Sequence, residues 1–233
     1  MAVASYNSGP GVWKDGWTLA IESSTAQGSA AVLHHGEPVA EAIATLGGGR
    51  RDSERLMPAV ARVLATAGVE PRQLNKVVCG AGPGSFTGLR IGAAIGKGIA
   101  HACSIPMHAV SSLLLVGAEA AMQLGDGLYL VVVDALRDER YVLHTESAEG
   151  RTTAVGNVRL LPMAAVDLEL QSGGLKAVGP DVGGVFPHAR GVARCWEAIG
   201  PPVELGPWEP LYGRKAEAQA RWESTHGRSL ADA

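Results

Sequence analysis

The sequence predicts an α/β fold made of two halves that share one order of elements, strand-strand-strand-helix-strand-helix. In each half an apolar stretch ends in a single acidic residue, Glu22 in the first half and Asp134 in the second. In each half a later apolar run is followed by a Gly-Pro pair, at Gly82 and at Gly179. Short β-branched runs bounded by glycine and proline are typical of buried strands, so these signals mark equivalent strands in the two halves.

The first half is expected to span residues 17–110, after a loose leader at residues 1–16. Glycine-centred turns separate its first three strands, which should form an antiparallel meander. The spacing of Leu56 and Val60 predicts a helix that ends at Gly68. The predicted elements are strands at 17–21, 30–34 and 38–45, a helix at 53–67, a strand at 77–79, a helix reaching 101 and a strand at 107–110.

The second half is expected to span residues 111–233 and to end in a C-terminal helix over residues 216–224. Its other predicted elements are a helix at 112–123, strands at 128–133, 141–145 and up to about 160, a helix at 162–170 and a strand at 175–178. The distance from the acidic strand end to the Gly-Pro pair is shorter than in the first half, so we expect a shorter helical insert there.

Composition limits the kinds of partner. The chain has 233 residues, 46% of them hydrophobic, and a formal net charge of −3, so it can bury a core but lacks the basic surface of a stand-alone nucleic-acid binder. Its three cysteines are odd in number and far apart, which favours a reducing cytoplasm over a disulfide framework. No stretch of the sequence is apolar and long enough to predict a membrane span.

Residues 82–88, Gly-Pro-Gly-Ser-Phe-Thr-Gly, predict a tight turn between a strand and a helix. The glycines tolerate positive φ, and Ser85 or Thr87 can cap the helix. Free N–H groups at a helix start attract anions, which makes nucleotide phosphate the first candidate ligand. The spacing matches neither the Walker A loop nor the dinucleotide fingerprint, so a close-packed turn that binds nothing is an equal alternative.

The candidate phosphate contacts lie at this turn and at the first hairpin. A carboxylate and hydroxyls at a hairpin tip can hold Mg²⁺ and phosphate, although such residues are more often solvated turn residues. The candidates are Glu22, Ser23, Ser24, Thr25, Gly82, Gly84, Ser85 and Thr87. The counterpart at Asp134 lacks a following run of hydroxyls, which disfavours nucleotide binding by the isolated chain.

The helix after the turn carries a stripe almost without side chains. Gly88, Gly92, Gly96 and Ala100 recur every four residues and therefore lie on one face of the helix. Each glycine costs about 1 kcal/mol relative to alanine, so the stripe indicates that another backbone approaches closely. That neighbour is either the chain's own sheet or a helix of another subunit.

The sequence predicts no catalytic residue and no metal site. The histidines contain no pair four residues apart, the spacing that places two metal ligands on one helix face. No serine lies in a Gly-x-Ser-x-Gly elbow, and Ser85 has no identifiable His and Asp partners.

The motif GPGSFTGLRIG at 82–92 resembles the signature of the TsaB (YeaZ) family, as do Ile105-Pro106 and the Val-Ser-Ser-Leu run at 110–113. This resemblance extends over nearly the whole chain after the leader. It implies an actin-like ATPase fold, related to that of ribonuclease H. It also implies a non-catalytic relative of TsaD in the bacterial synthesis of threonylcarbamoyl-adenosine on tRNA.

The resemblance further implies a cytoplasmic scaffold that binds and stabilises a TsaD-type catalytic subunit during threonylcarbamoyl transfer to adenosine 37 of tRNA. A TsaE-type ATPase is a further expected partner, tRNA is reached only through the complex, and the chain alone is expected to form a homodimer. No cofactor is expected on the isolated chain, whereas ATP or ADP with magnesium is a candidate in the complex.

The resemblance also assigns the partner-binding residues to the first two helices. They are Ser53, Leu56, Met57, Val60, Gly88, Gly92, Gly96 and Ala100. A leucine at Gly92 or Gly96 is therefore expected to abolish complex formation and to spare the isolated fold. The chain departs from the family at Asp52, where a histidine is usual.

The alternative is an active enzyme on the same fold. It would be a phosphotransferase or ATPase that uses Glu22 and residues 82–87, or a metal-dependent glycoprotease-like enzyme. Micromolar binding and turnover of ATP with magnesium by the isolated chain would favour this alternative, whereas a dimeric nucleotide-sensing module would bind without turnover.

Overall fold

The computed structural model describes residues 15–46, 52–173, 175–212 and 225. The predicted leader lies almost wholly outside these residues, as does the predicted C-terminal helix at 216–224.

The first half follows the predicted order of elements. Its described elements are β1 (Trp17–Glu22), β2 (Gln27–His34), β3 (Glu37–Thr45), α1 (Asp52–Ala67), β4 (Leu74–Gly80), α2 (Phe86–Cys103) and β5 (Met107–Val110). Among the described residues, these strands form a five-stranded sheet in the order β3-β2-β1-β4-β5. The first three strands are antiparallel, whereas β4 and β5 run parallel to β1 because helices connect them.

The second half repeats this order as far as its last strand. Its described elements are α3 (Ser112–Leu124), β6 (Gly127–Asp134), β7 (Glu139–Ala148), β8 (Arg151–Pro162), α4 (Met163–Gly173) and β9 (Lys176–Val178). In the described part of the chain these strands form a second sheet, in the order β8-β7-β6-β9. β9 runs parallel to β6, as β4 does to β1.

After β9 the described chain forms short 3₁₀ turns, at Ala189–Arg194 and Trp196–Ala198, where the first half forms α2. The helix predicted at 216–224 lies outside the described residues. Gly183 and Gly184 adopt positive φ, and Pro187 follows within one turn, so this segment cannot propagate an α-helix.

The helices and sheets alternate in layers. α1 and α2 cover one face of the first sheet, where Leu56, Val60 and Val63 join the core beside Leu19 and Ile21. α3 lies between the two sheets, and α4 covers the far face of the second sheet. Residues 112–121 of α3 are buried on every side, as expected for a helix that is apolar all round.

The segment after the 3₁₀ turns returns across the first half. Val203 donates its N–H to the carbonyl of Met107 at 2.8 Å, and Leu211 donates its N–H to Ala81 at 2.8 Å. Lys97 of α2 donates to the carbonyl of Gly206 at 3.3 Å. The end of the described chain is therefore fixed against β5, α2 and the turn that precedes α2. Across the described residues, no helix combines the length and apolar character that crossing a membrane requires.

Candidate functional site

The turn between β4 and α2 has the predicted tight geometry. Gly82 has φ +84°, a conformation that favours glycine, and the Gly82-Pro83 peptide bond is cis. The Oγ of Ser85 accepts the N–H of Gly88 at 3.2 Å and so caps α2. The turn lies against the β1–β2 hairpin, because Ser85 donates its N–H to the carbonyl of Ser24 at 2.7 Å.

The carboxylate of Glu22 is enclosed at the centre of this site. It is 0% exposed and accepts the N–H of Ser24 at 2.5 Å and the hydroxyl of Ser112 at 2.8 Å. The Ser112 Oγ in turn accepts the N–H of Gly82 at 3.0 Å. Burial raises the pKa of Glu22, and the hydrogen bonds from Ser24 and Ser112 oppose part of that rise. Glu22 therefore connects β1, the turn and the start of α3.

The neighbouring hydroxyl residues face the protein interior. Ser23 and Ser24 are 1% and 3% exposed, and Thr25 donates its hydroxyl to the carbonyl of Gln27 at 3.0 Å. A Cβ at Gly84 would overlap the carbonyl oxygen of Ser24, so the turn lies directly on the hairpin backbone. The space in front of the turn is thus occupied by the hairpin.

The C-terminal segment closes the other side of the turn. The carbonyl of Leu211 lies where a Cβ of Gly82 would be. The rings of Phe86 and Tyr212 are 4.7 Å apart, and the Arg90 guanidinium lies 4.1 Å from the Phe86 ring centroid. Ser85 and Thr87 are exposed, whereas Glu22 is covered on every side.

The structure thus brings the eight predicted phosphate contacts together, but it uses most of their polar groups within the protein. Ser112 and Leu211 complete the cluster, and sequence reasoning missed both. No local pattern could have identified them, since Ser112 is 90 positions from Glu22 along the chain.

The glycine stripe faces the chain's own sheet, which corrects its assignment as a partner-binding surface. Gly88, Gly92, Gly96 and Ala100 are all buried. A Cβ at Gly88 would overlap the backbone carbonyl oxygen of Ser23, and a Cβ at Gly92 would overlap the Ser23 Oγ. The intramolecular alternative therefore explains the stripe, and leucine at Gly92 would disrupt the fold itself.

Two of the four partner-binding residues predicted on α1, Leu56 and Val60, are buried within the monomer. Leu56 and Val60 are 0% exposed because they form the core between α1 and the first sheet. Met57 is 46% exposed and lies on the outward side, and the side chain of Ser53 lies outside the described residues.

The outward sides of α1 and α2 form a different surface, which we call the α1/α2 face. It is defined by Met57, Ala61, Ala65, Ala94 and Gly98, all of them exposed. No atom lies within 4 Å of a Cβ placed at Gly98, whereas the buried glycines of the same helix have close neighbours. The surface is smooth because it consists mainly of alanine and glycine.

The β6–β7 hairpin of the second half has no polar cluster that matches the one around Glu22. Asp134 accepts Arg140 at 2.7 Å and the N–H of Leu136 at 3.2 Å, at a partly exposed position. Within the described ranges, no group of three histidine, cysteine, aspartate or glutamate side chains is placed to hold a metal ion.

Two halves of this order, with β4 and β9 parallel to their hairpin strands and a glycine turn beside an acidic strand end, define the actin-like, ribonuclease H-related class of α/β proteins. A solved structure described as YeaZ from Pseudomonas aeruginosa has the same fold, with a TM-score of 0.72 and 25% identity, over 84% of this chain and 99% of that one. A second, described as similar to the peptidase YEAZ from Pseudomonas aeruginosa, has a TM-score of 0.69 and 28% identity, over 85% of this chain and 100% of that one.

A family model described as TsaD, tRNA N6-adenosine threonylcarbamoyltransferase, matches residues 42–177, more than half of the chain. The chain belongs to this family, and its resemblance to the TsaB (YeaZ) proteins is confirmed by the curated relatives.

The curated relatives are similar over part of their length. The tRNA threonylcarbamoyladenosine biosynthesis protein TsaB of Bacillus subtilis is 38% identical over 123 residues, which is 53% of this chain and 52% of the relative. The TsaB proteins of Haemophilus influenzae and Escherichia coli are 36% and 34% identical, over 53% and 43% of this chain and 51% and 48% of their own lengths. The chain thus spans about half the length of the curated relatives it matches.

Proposed function

We propose that this chain is a non-catalytic subunit in the biosynthesis of threonylcarbamoyladenosine on tRNA. Its role is to bind and stabilise a TsaD-type catalytic subunit that transfers the threonylcarbamoyl group to adenosine 37. The names of the TsaB relatives and the matching family model support the pathway. A TsaE-type ATPase is a further partner in this proposal, and tRNA is reached only through the complex in the cytoplasm.

The burial of Glu22 is the observation that carries the non-catalytic role. A carboxylate that organises metal and phosphate needs open coordination positions. Glu22 is instead 0% exposed, and the N–H of Ser24 and the hydroxyl of Ser112 bind its two oxygens. The acidic position of the fold therefore fastens the hairpin to α3, which is a structural task.

The α1/α2 face is the proposed docking surface. Met57, Ala94 and Gly98 are exposed there, and Ile91 and Ile95 are half-buried beside them. Small residues let two helices approach closely, and the partly exposed apolar atoms gain free energy when a partner covers them. The same face would join two copies when the partner is absent.

Co-purification of the chain with the TsaD-type subunit of its own source tests this assignment. In Gly98→Arg the new side chain points into open space, so the monomer keeps its fold while a charge is placed on the docking surface. We expect the affinity to fall by about thirtyfold or more, the size of a strong interface substitution.

Two matched variants serve as controls. Leu168→Arg adds the same charge on α4, where Leu168 is 67% exposed on the opposite outer layer, and should leave complex formation unchanged. Gly98→Ala should bind like the wild type. If Gly98→Arg binds as tightly as Leu168→Arg, the partner uses another surface.

A further inference from the structure

A polar cavity of about 630 Å³ lies beside β3. Its wall is formed by the edge strand β3, one residue of α1, the later part of α3 and the loop before the first 3₁₀ turn. Its lining residues include Ile43, Arg62, Gln123, Phe186 and His188. Its volume is within the range of about 300–1,000 Å³ that is typical of small-molecule sites.

His188 lines this cavity with a largely buried ring. The residue is 4% exposed, and its Nδ1 accepts the N–H of Arg190 at 3.1 Å. The proton of the neutral ring therefore lies on Nε2. Burial, followed by the charge of Arg190, lowers the pKa of His188, so the ring is neutral near pH 7. Among the described residues, Nε2 has no hydrogen-bond partner, and a ligand acceptor would satisfy it.

The ion pairs of the cavity wall leave Arg62 as an available cation. Arg190 is engaged by Glu119, at 2.5 and 3.0 Å, and by Glu41, at 3.1 and 3.2 Å. Arg62 donates to the carbonyl of Ile43 at 3.3 Å and forms no ion pair within the part of the chain that the structure describes. A guanidinium with unused donors favours a carboxylate or a phosphate, which it can bind through two oxygens.

The remaining wall suits a flat ligand with some apolar surface. The half-buried ring of Phe186 and the side chain of Ile43 supply apolar contacts. Gln123 donates to Glu119 at 2.8 Å, which leaves its own carbonyl oxygen as an acceptor. Apolar walls with a few placed polar groups are the usual composition of a small-molecule site.

We propose that this cavity binds a small organic anion, a carboxylate or phosphate monoester on a planar body, with its acid group on Arg62, its ring against Phe186 and an acceptor at His188 Nε2.

The test uses four ring compounds of similar size on the full chain, followed by NMR of the Ile43 methyl and the His188 ring. Benzoate and phenyl phosphate carry the acid, benzamide is the neutral analogue and benzamidinium is the cation. We expect at least one acid to bind with a Kd of roughly 1 mM, as suits a fragment of this size, with shifts at Ile43 and His188. The acid that binds with the lower Kd identifies the natural ligand as a carboxylate or a phosphate monoester.

Variants distinguish binding at this cavity from a general attraction of the acid to positive surface charge. Arg62→Gln should weaken binding of the acid about tenfold, because a charged hydrogen bond is lost. Arg55→Gln is the matched control, since Arg55 lies on the same helix, donates to the carbonyl of Thr45 at 3.0 Å and is not part of the cavity wall. His188→Asn retains an acceptor for the Arg190 N–H and loses the Nε2 donor, so it should also weaken binding.

Three outcomes would overturn the proposal. The first is that neither acid saturates or shifts the Ile43 and His188 signals of the wild-type protein, a result that needs no variant to fold. The second is that benzamidinium binds more tightly than both acids, which would mean that the carboxylates of Glu41 and Glu119 determine which charge the cavity binds. The third is that Arg55→Gln and Arg62→Gln weaken binding equally.

Discussion

Replacing Gly92 with alanine should destabilise the fold, because the new Cβ atom would clash with one atom, the hydroxyl oxygen of Ser23. A Cβ at Gly92 would overlap Ser23 Oγ, while the next atoms, Ser23 Cβ and Ile21 Cγ2, lie at 3.3 and 3.7 Å. Ser23 is 1% exposed and cannot turn out to solvent. Overpacking of this kind costs about 1–3 kcal/mol, and the better helix propensity of alanine returns up to about 1 kcal/mol. The expected net loss is about 1–2 kcal/mol.

Removing the Ser23 hydroxyl should recover most of the free energy of unfolding that Gly92→Ala loses. Ser23 Oγ is buried and has no hydrogen-bond partner among the described residues, so Ser23→Ala alone should cost little. In the double variant the nearest remaining contact is the one at 3.3 Å between two Cβ atoms. The two substitutions should therefore couple favourably by about 1–2 kcal/mol in urea unfolding of the isolated chain.

Two glycines of the same helix provide the controls. Gly98→Ala enters open space and should raise the free energy of unfolding by about 0.5–1 kcal/mol. Gly88→Ala would overlap the backbone carbonyl oxygen of Ser23, which no side-chain change removes, so Ser23→Ala should not rescue it. Equal stability of Gly92→Ala and Gly98→Ala, or equal rescue at Gly88 and Gly92, would refute this reasoning.

Two further predictions concern buried ionisable groups. Arg190→Gln should lower the free energy of unfolding at neutral pH by about 3 kcal/mol, because it leaves the carboxylate of Glu119, 4% exposed, without its cation. Burial raises the pKa of Glu119 and the bonds from Arg190 lower it, with a net lowering, so this stabilisation is present above the ordinary pKa of 4.5 and is lost as the pH falls through the folded pKa. Urea unfolding of both proteins across this pH range checks the prediction, and a difference that stays constant at low pH would contradict it. Burial raises the pKa of the Cys79 and Cys195 thiols to about 12, so a thiol reagent should label the half-buried Cys103 first and the other two after unfolding, as mass spectrometry can determine. Labelling of Cys79 in the native protein as fast as Cys103 would disprove the closed packing around Glu22.

Local patterns in the sequence were sufficient for the order of strands and helices as far as β9 and for the turn. The apolar run at 77–79 and the glycines after it predicted β4 and the start of α2, and Ser85 is the cap, one of the two candidates, with Thr87, that the sequence offered. The helix at 53–67 was predicted within a residue of α1, because its apolar spacing and Gly68 are local signals.

The direction of the glycine stripe could not be predicted, because spacing shows that a neighbour comes close and not which neighbour it is. The neighbour of Gly92 is Ser23, far away in the sequence and brought there by the parallel pairing of β1 with β4. The same limit applies to Glu22, whose partner Ser112 lies at the start of α3. Sequence reasoning therefore found the residues of the hairpin and the turn, missed Ser112 and Leu211, and misjudged which residues face outward.

The second half shows where repetition misleads. Gly179 and Pro180 follow β9 as Gly82 and Pro83 follow β4, but the chain then forms 3₁₀ turns where the first half forms α2. A Gly-Pro signal specifies the end of a strand, whereas the following helix needs a periodic apolar run. The loop at 183–190 lacks that run, and it lines the polar cavity instead.

The rate of threonylcarbamoyl transfer with a Glu22→Gln variant tests the proposed non-catalytic role most directly. The amide has the shape of the carboxylate. Its oxygen can accept the N–H of Ser24, and its NH2 group can donate to the Oγ of Ser112 in place of the present bond. In a reaction reconstituted with the TsaD-type subunit, we expect a rate within about twofold of the wild type, since no reacting group is lost. A fall of about a hundredfold or more, with the complex still assembled, would make the Glu22 carboxylate a participant in the chemistry and contradict the proposal.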